Sequence, residues 1–458
     1  MTQGFFAIST SSKRSALHLI RASGTCLKEL IEPFCIHKKR LVPISLLEQK
    51  PHYILLKNQE GETLDDVVLT YFKAPRSFTG EDMIEISSHG NPLISSLICQ
   101  FLRRLGLRDA KPGEFTQTAF LHGKLDLIQA ESIHDLICAE NKSSLALIRK
   151  AADGHLSSVI QAIRDDLISV RCYLEAHIDF GPEDVGSYDP YHLTALCEES
   201  LASLKKLDAS YDYGQKIKHG LKLVLLGEPN SGKSTLFNAL LKSEEAIVTD
   251  IPGTTRDVLK DRIEIDGRDF ILMDTAGIRT TEDFVEKIGI ERSLKAANEA
   301  DVCCFIVDST NPSFLSQYQD FSYGILVFTK KDKGTTEEMQ KLKKQYSLFK
   351  HVVFTGLKEG HYDLQELLEA LKESYDHLIY GDESIEYDAV LISQREKDQV
   401  AEAIKCVEEA MTLISMKGFP ESIASVLNFA CDHLQDVTGE ITIDSVYDRL
   451  FSSFCIGK

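Results

Sequence analysis

The stretch GEPNSGKST, residues 227–235, constrains the fold of this chain more than any other. It follows the apolar run LKLVLL and precedes STLFNALL, which has the apolar spacing of a helix. Glycines let the backbone wrap closely around phosphate groups, and the amides of the loop and of the helix N-terminus then point inward. The order of strand, glycine-rich loop and helix therefore predicts a parallel α/β sheet with a phosphate-binding loop.

The polar residues of this loop suit a nucleotide. Lys233 is expected to reach the β and γ oxygens, and the hydroxyl of Ser234 to bind magnesium. The candidate nucleotide contacts in the loop are Asn230, Ser231, Gly232, Lys233, Ser234 and Thr235.

Three further segments favour guanine. DTAG follows the strand-like run DFILM, where an aspartate can hold the magnesium shell and a glycine amide can sense the γ-phosphate. TKKD follows GILVF, and Asp332 there can accept hydrogen bonds from guanine N1–H and the exocyclic amine. The usual form is N-K-x-D, from which Thr329 departs, and TGL stands where GTPases usually show S-A-K. The pattern predicts a GTPase, with candidate contacts at Asp274, Thr275, Ala276, Gly277, Thr329, Lys330, Asp332, Thr355, Gly356 and Leu357.

The residue after DTAG is Ile278, where Ras-like enzymes carry a water-orienting glutamine. An apolar side chain cannot orient water, so another arrangement is needed. Asn230 and the segment VTDIPGTTRD offer oxygen atoms that suit a monovalent cation near the phosphates, which can neutralise developing charge. A simple loop hydrogen bond is the alternative role for Asn230. The segment adds the candidates Thr249, Asp250, Ile251, Pro252, Gly253, Thr254 and Thr255.

The pattern along 458 residues indicates several domains, since one core serves ~100–200 residues. Strand and helix signals mix at first, helical periodicity follows, short strands alternate with helices, and helices then return. We predict an α+β domain at 1–120 and an all-α helical domain at 121–216 and 377–458. An α/β P-loop GTPase domain at 217–376 interrupts the helical one. Periodicity does not say whether the two helical segments pack together.

One helix near the start is predicted with both of its ends. In NPLISSLICQFLRRLG, Asn91 can cap the first turn, and Arg103, Arg104 and Gly106 suit the last. Its apolar residues, including Leu93 and Leu97, recur with a helical period.

Charge and cysteine usage narrow the class of protein. The net charge of -19 opposes indiscriminate binding to nucleic acid or anionic membrane. The chain opens without a signal-peptide pattern, and no apolar run reaches the ~18–20 residues of a membrane span. The 11 cysteines include no C-x-x-C, which is typical of reduced thiols. We therefore expect a cytoplasmic protein that does not span a membrane.

The chain resembles the tRNA modification GTPase MnmE family, also called TrmE, over nearly its whole length. The resemblance is carried by GEPNSGKSTLFNAL, AIVTDIPGTTRDV, DTAGIR, VEKIGIERS and the terminal FSSFCIGK. IRASG, SFTGEDMIEISSHG and PGEFTQTAFLHGKLDLIQAE carry it in the first part. GTTRD combined with VEKIGIERS and a terminal CIGK is far more specific than the phosphate loop.

The resemblance implies a folate-binding N-terminal domain, a helical domain in two segments and an inserted G domain. It implies a homodimer whose G domains pair in a potassium-dependent way. It also implies an FAD-containing partner, in a heterotetramer or larger assembly. The expected reaction modifies C5 of the wobble uridine of certain tRNAs, giving a carboxymethylaminomethyl-type group. The one-carbon unit would come from a formyl or methylene tetrahydrofolate.

Residue roles follow from the same resemblance. It implies potassium at Asn230, Thr249, Ile251 and Thr254, magnesium at Ser234 and Thr255, and water polarisation by Glu286. It implies folate binding by Arg21, Glu85, Lys124 and Lys458.

The terminal FCIGK is expected to fold back onto the N-terminal domain, pinned by Leu450, Phe451 and Phe454. Cys455 is then either a reactive thiol or a small packed residue. Gly457 and Lys458 fit no prenylation box, so a lipid anchor is rejected.

One rival function and one departure remain. A ribosome-assembly GTPase that acts as an RNA-binding switch is the alternative, although the chain has no second phosphate loop and no G-x-x-G after residue 376. The family usually has a glycine-rich stretch before IRASG, whereas this chain has STSSKRSALHL, so the folate contacts of that loop stay open.

Overall fold

The computed structural model divides into two compact units. The first comprises residues 1–138, 149–204 and 395–458, and the second comprises residues 139–148 and 205–394. The residues described are 4–38, 41–139, 141–180, 189–243, 246–248, 260–273, 297–311, 324–358, 361–381, 387–439, 451, 454 and 457.

Helices and strands alternate irregularly along the chain. The helices are α1 Leu27–Ile31, α2 Pro92–Arg104, α3 Glu114–Leu121, α4 Leu127–Cys138, α5 Lys142–Ala152, α6 His155–Asp179, α7 Pro190–His219, α8 Lys233–Lys242, α9 Thr336–Gln345, α10 Gln365–Tyr380, α11 Gln394–Ser415 and α12 Pro420–Thr438. The strands are β1 Phe5–Ile8, β2 Leu17–Gly24, β3 Cys35–His37, β4 Pro51–Lys57, β5 Thr63–Phe72, β6 Asp82–His89, β7 Arg108–Asp109, β8 Leu221–Gly227, β9 Ala246–Val248, β10 Lys260–Ile265, β11 Arg268–Met273, β12 Val302–Asp308, β13 Ile325–Thr329, β14 His351–Phe354, β15 Gly356–Lys358 and β16 His361–Asp363.

The first unit contains a mainly antiparallel sheet in the order β3-β4-β5-β6-β2-β1-β7. Side chains alternate between its faces. One face carries the apolar core, in which Phe6, Ile20 and Ile84 pack with residues of α1 and α2. The opposite face carries Arg21 and Glu85, which are directly opposite each other in β2 and β6.

Helix α2 begins as predicted. The side chain of Asn91 accepts a hydrogen bond from the backbone N–H of Leu93 at 3.0 Å, and Pro92 is the first helical residue. Its apolar face is narrower than the periodicity suggested. Ile98 and Phe101 are buried, whereas Leu93 and Leu97 are exposed because the sheet covers only one side of the helix.

The two helical segments of the sequence pack together in the first unit. Helix α12 lies along α6, and Arg395 of α11 forms an ion pair with Glu131 of α4, with Nε 2.8 Å from Oε1. Arg395 also donates to the carbonyls of Asp436 and Val437 at the end of α12. Burial lowers the pKa of Arg395. The hydrogen bonds to Glu131 and its negative charge outweigh burial, so the pKa of Arg395 is raised.

The second unit contains the predicted α/β sheet, in the order β14-β13-β12-β8-β11-β10-β9. The five strands from β14 to β11 are parallel, and β10 runs antiparallel to both of its neighbours, β11 and β9. Helices cover both faces, so β12 is apolar at every position before Asp308, and its adjacent Cys303 and Cys304 are both buried, on opposite faces.

Within the described ranges, none of the helices combines the length and the apolar character that a membrane crossing requires.

Candidate functional site

The candidate nucleotide site lies at the carboxyl ends of β8, β12 and β13. The register places Gly227 beside Ile306 and Asp308 beside Thr329, so these strand ends form one edge. Ligands of open α/β sheets bind at such edges. A pocket of about 210 Å³ opens there, lined by Glu228, Pro229, Asn230, Ser231, Ile306, Val307, Asp308, Asn311 and Lys330.

Two glycines allow the phosphate loop to take its path. A Cβ at Gly227 would lie 2.2 Å from the carbonyl oxygen of Ile306, so β8 and β12 leave no room for a side chain. Gly232 has φ of +100°, in the left-handed region that other residues rarely adopt. Asn230 also has positive φ, +65°, which asparagine tolerates better than most residues.

The loop is built to hold an anion. Helix α8 begins at Lys233, so its N-terminal amides face the loop. The Lys233 ammonium donates to the carbonyls of Gly227 and Glu228, both at 2.6 Å. Burial lowers the pKa of Lys233, opposed by the charge of Glu228. The buried hydroxyl of Ser231 has no hydrogen-bond partner among the described residues. A phosphate oxygen in the loop would supply that partner, so the donor set fits a nucleotide.

The TKKD segment adjoins this loop. The hydroxyl of Thr329 donates to the Ser231 carbonyl at 2.6 Å. The Lys330 ammonium pairs with Asp308, which also accepts from the backbone N–H and the hydroxyl of Thr310 at 2.9 and 2.7 Å. Burial raises the pKa of Asp308, but these hydrogen bonds outweigh it and the pKa is lowered. Asp308 is therefore an anionic anchor for Lys330.

The TGL segment, the weakest motif in the sequence, supports the aspartate that is expected to read the base. The backbone N–H of Leu357 donates to Oδ1 of Asp332 at 3.2 Å, and that of Lys331 donates to the Thr355 carbonyl at 3.0 Å. A Cβ at Gly356 would lie 2.8 Å from that Asp332 oxygen. The two loops therefore close on each other and fix the carboxylate.

Sequence reasoning missed part of the pocket wall, notably Asp308, Asn311 and Glu228. A signal for Asp308 was available. The run VCCFIVDST changes from apolar to polar residues at the end of a buried strand, and such strand ends meet at the edge where the phosphate loop begins.

The structure brings Thr329 against Ser231 and Gly232, and it places Lys330 in one pocket with Asn230 and Ser231. It joins Asp332 to the TGL segment. Ser234 and Thr235 lie in the first turn of α8 and are exposed. The other predicted nucleotide, metal, catalytic and tail residues lie outside the described residues: Thr249, Asp250, Ile251, Pro252, Gly253, Thr254, Thr255, Asp274, Thr275, Ala276, Gly277, Ile278, Glu286, Leu450, Cys455 and Lys458.

A second candidate site lies on the face of the N-terminal sheet opposite the apolar core formed with α1 and α2. Arg21 Nε donates to Oε1 of Glu85 at 2.9 Å, and both side chains are about a quarter exposed, at 23% and 26%. The pair joins neighbouring strands and leaves several donors and acceptors open to solvent. This arrangement can bind a ligand that carries both a hydrogen-bonding ring and an anion.

Lys124 contacts the loop between β5 and β6, and β6 is the strand that carries Glu85. Its ammonium donates to the Pro75 carbonyl at 3.0 Å. The hydroxyl of Thr79, in the same loop, lies 2.7 Å from that of Ser23. Ser23 is two residues from Arg21 in β2. The predicted folate residues Arg21 and Glu85 therefore lie on the paired strands β2 and β6, and Lys124 lies against the β5–β6 loop that contacts β2.

The described residues near the chain end contact the N-terminal domain, as predicted, and also α4, which lies in the predicted helical domain. Phe451 and Phe454 are buried against residues of α3 and α4. The Ser9 hydroxyl donates to the Gly457 carbonyl at 3.0 Å, next to strand β1. The prediction that the tail folds back is confirmed for residues 451, 454 and 457. Gly457 therefore lies beside β1, the strand that pairs with β2.

Two family models match the chain. The model described as MnmE helical domain matches residues 127–455, and the model described as GTP-binding protein TrmE N-terminus matches residues 4–124.

Relatives that match the chain over its full length are named tRNA modification GTPase MnmE. The chain is 37% identical over 465 residues to the tRNA modification GTPase MnmE of Aquifex aeolicus strain VF5, covering 100% of both chains. It is 36% identical over 470 residues to that of Pseudomonas aeruginosa strain UCBPP-PA14, covering 100% of this chain and 99% of the relative. Among solved structures, the G domain of the T. maritima FeoB iron transporter is 29% identical and covers 35% of this chain and 99% of its own, with a TM-score of 0.24. A TM-score that low carries no weight for the fold.

Proposed function

This chain belongs to the family of the tRNA modification GTPase MnmE, and on that premise we propose that it hydrolyses GTP in the cytoplasm as part of tRNA modification. The observation that carries the proposal is the phosphate loop. Within the described residues the buried Ser231 hydroxyl of this loop has no hydrogen-bond partner, and the Lys233 ammonium donates to loop carbonyls. The TGL segment holds Asp332 through the backbone N–H of Leu357.

The residues divide the work of binding GTP. Lys233 exchanges its loop carbonyls for the β and γ phosphate oxygens, and the amides at the start of α8 bind the same phosphates. Asp332 accepts from guanine N1–H and the exocyclic amine. Ser234, exposed in the first turn of α8, and Thr255 would hold Mg²⁺, which supplies neutralisation of phosphate charge when bound.

Hydrolysis is proposed to depend on potassium. Ile278 offers no group to orient water, and the resemblance to the family assigns that role to Glu286. Asn230, exposed on the loop at φ +65°, would join Thr249, Ile251 and Thr254 as a ligand of K⁺. A cation bound there supplies positive charge beside the phosphates.

The tRNA chemistry is proposed to use the N-terminal site. Arg21, Glu85, Lys124 and Lys458 would bind a formyl or methylene tetrahydrofolate, with the tail completing the pocket in a homodimer. The partly exposed Arg21–Glu85 pair and the position of Gly457 beside β1 support this assignment. An FAD-containing partner would share the modification at C5 of the wobble uridine.

The deciding experiment is nucleoside mass spectrometry of wobble uridines from cells that lack this protein. We expect loss of the C5 modification, rescue by the wild-type chain and failure of Lys233→Ala to rescue. Lys343→Ala, which removes an exposed lysine on α9 in the same unit, should rescue fully. Intact C5 modification in the deletion strain would reject the proposal. Accumulation of immature ribosomal subunits in that strain would favour the ribosome-assembly alternative.

A further inference from the structure

Thr329 stands where GTPases usually carry asparagine, and its side chain is 1% exposed. Its hydroxyl oxygen lies 2.6 Å from the Ser231 carbonyl and 3.2 Å from the Val307 carbonyl. A carbonyl only accepts, and a hydroxyl has a single hydrogen to donate. The Thr329 hydrogen is therefore committed to the protein, chiefly to Ser231.

The side chain of Thr329 also leaves little room for a side chain at the next loop residue, Gly232. A Cβ at Gly232 would lie 3.3 Å from the Thr329 methyl carbon and 3.4 Å from its hydroxyl oxygen. The hydrogen bond holds Ser231, and the nearby Thr329 side chain favours a glycine at position 232. The hydrogen bond therefore fixes the backbone directly before α8, from which the phosphate-binding amides project.

The two edges of guanine ask for different partners. N7 and O6 are acceptors and need a donor, whereas N1–H and the exocyclic amine are donors and need an acceptor. The Asp332 carboxylate can serve the second edge. If Thr329 donated to N7, the buried backbone carbonyl of Ser231 would lose its hydrogen bond from the Thr329 hydroxyl, which is unfavourable.

We propose that Thr329 positions the phosphate loop and gives no hydrogen bond to guanine N7, so that the TKKD segment selects guanine at its Watson–Crick edge through Asp332. This inference rests on the proposed GTPase function. It makes Thr329 a positioning residue. Its loss weakens the binding of every nucleotide by the same factor and leaves the preference for guanine unchanged.

The test compares Thr329→Val with Thr329→Ser in the full-length protein. Valine has nearly the shape of threonine but no hydroxyl, and serine keeps the hydroxyl. Equilibrium binding of GTP, GDP and 7-deaza-GTP, which lacks N7, is measured by competition with a fluorescent GDP. We expect Thr329→Val to lower the affinity for each of the three nucleotides by about tenfold, the usual effect of leaving a buried acceptor unpaired. Serine should stay within about twofold of wild type, because the donor remains.

The ratio of GTP to 7-deaza-GTP affinity separates positioning from base reading. We expect the same ratio in the wild type and in Thr329→Val. A ratio that is large in the wild type and falls in Thr329→Val would overturn the proposal, because Thr329 would then read N7. Wild-type affinity in Thr329→Val would overturn it as well. Absence of GTP binding by the wild type would instead reject the proposed GTPase function. Thermal unfolding without nucleotide checks that both variants fold.

Discussion

Replacing Gly113 with alanine should release the C-terminal tail from the N-terminal domain. Gly113 precedes α3 with φ of +67°. A Cβ there would lie 2.6 Å from the Phe451 carbonyl oxygen and 3.0 Å from the Cβ atoms of Phe451 and Phe454. Real Cβ atoms do not approach backbone oxygen that closely, so either α3 or the tail must move.

The size of the effect follows from two terms. Left-handed backbone costs a non-glycine residue ~1–2 kcal/mol. If the clash is relieved by releasing the tail, Phe451 and Phe454 also lose their burial, at ~1.5–3 kcal/mol each. Gly61 provides a matched control, since it has φ of +83° and a Cβ added to it would meet no atom within 4 Å. Gly61→Ala should therefore lower the free energy of unfolding only by the cost of a left-handed backbone at alanine.

The assay is hydrogen exchange of the last eight residues, with folate binding and GTP hydrolysis measured on the same proteins. In Gly113→Ala we expect fast exchange in the tail and binding of 5-formyltetrahydrofolate weakened by more than about tenfold, or about 1.4 kcal/mol. GTP hydrolysis should persist, because the phosphate loop belongs to the other unit. Tail protection and folate affinity equal to those of Gly61→Ala would refute the reasoning.

Three further predictions concern hydrolysis and the helical domain. Hydrolysis should be faster in potassium than in sodium at equal ionic strength, since Ile278 cannot orient water; equal initial rates would reject the cation site. Glu286→Ala should slow single-turnover hydrolysis by about 10²–10³ while GTP affinity changes little, and a large loss of affinity would make Glu286 a binding residue instead. Arg395→Met should lower the free energy of unfolding in urea by about 1.5–3 kcal/mol, because it removes charged hydrogen bonds to Glu131 and to the end of α12. The exposed Lys405→Met in the same helix is its control, and equal unfolding midpoints for the two would contradict the role of Arg395.

Much of the local structure could be predicted from the sequence because the signals are short in range. The phosphate loop needs glycines at fixed spacing between a strand and a helix, and Asn91 caps α2 from two residues away. The run VCCFIVD is apolar at every position but the last, which a strand covered on both faces requires. Each of these depends on neighbours in the chain.

The same patterns misjudged how wide a buried face is. Leu93 and Leu97 share the helical period of α2, yet both are exposed. Periodicity reports which residues lie on one side of a helix. How much of that side is covered depends on the sheet against which the helix packs.

The class of each domain, the phosphate loop and the family follow from the amino-acid sequence alone, because they depend on residue type and spacing. Only the tertiary structure decides which residues far apart in the sequence form contacts with each other. The Thr329 hydroxyl bonds to Ser231 from 98 positions away, and Ser9 to Gly457 from 448 positions away. Only the folded backbone brings such atoms within hydrogen-bond distance, since local preferences carry no information on where a distant segment returns. In the sequence, Thr329 is a departure from the usual N-K-x-D motif. In the fold, its hydroxyl donates a hydrogen bond to the Ser231 carbonyl in the phosphate loop.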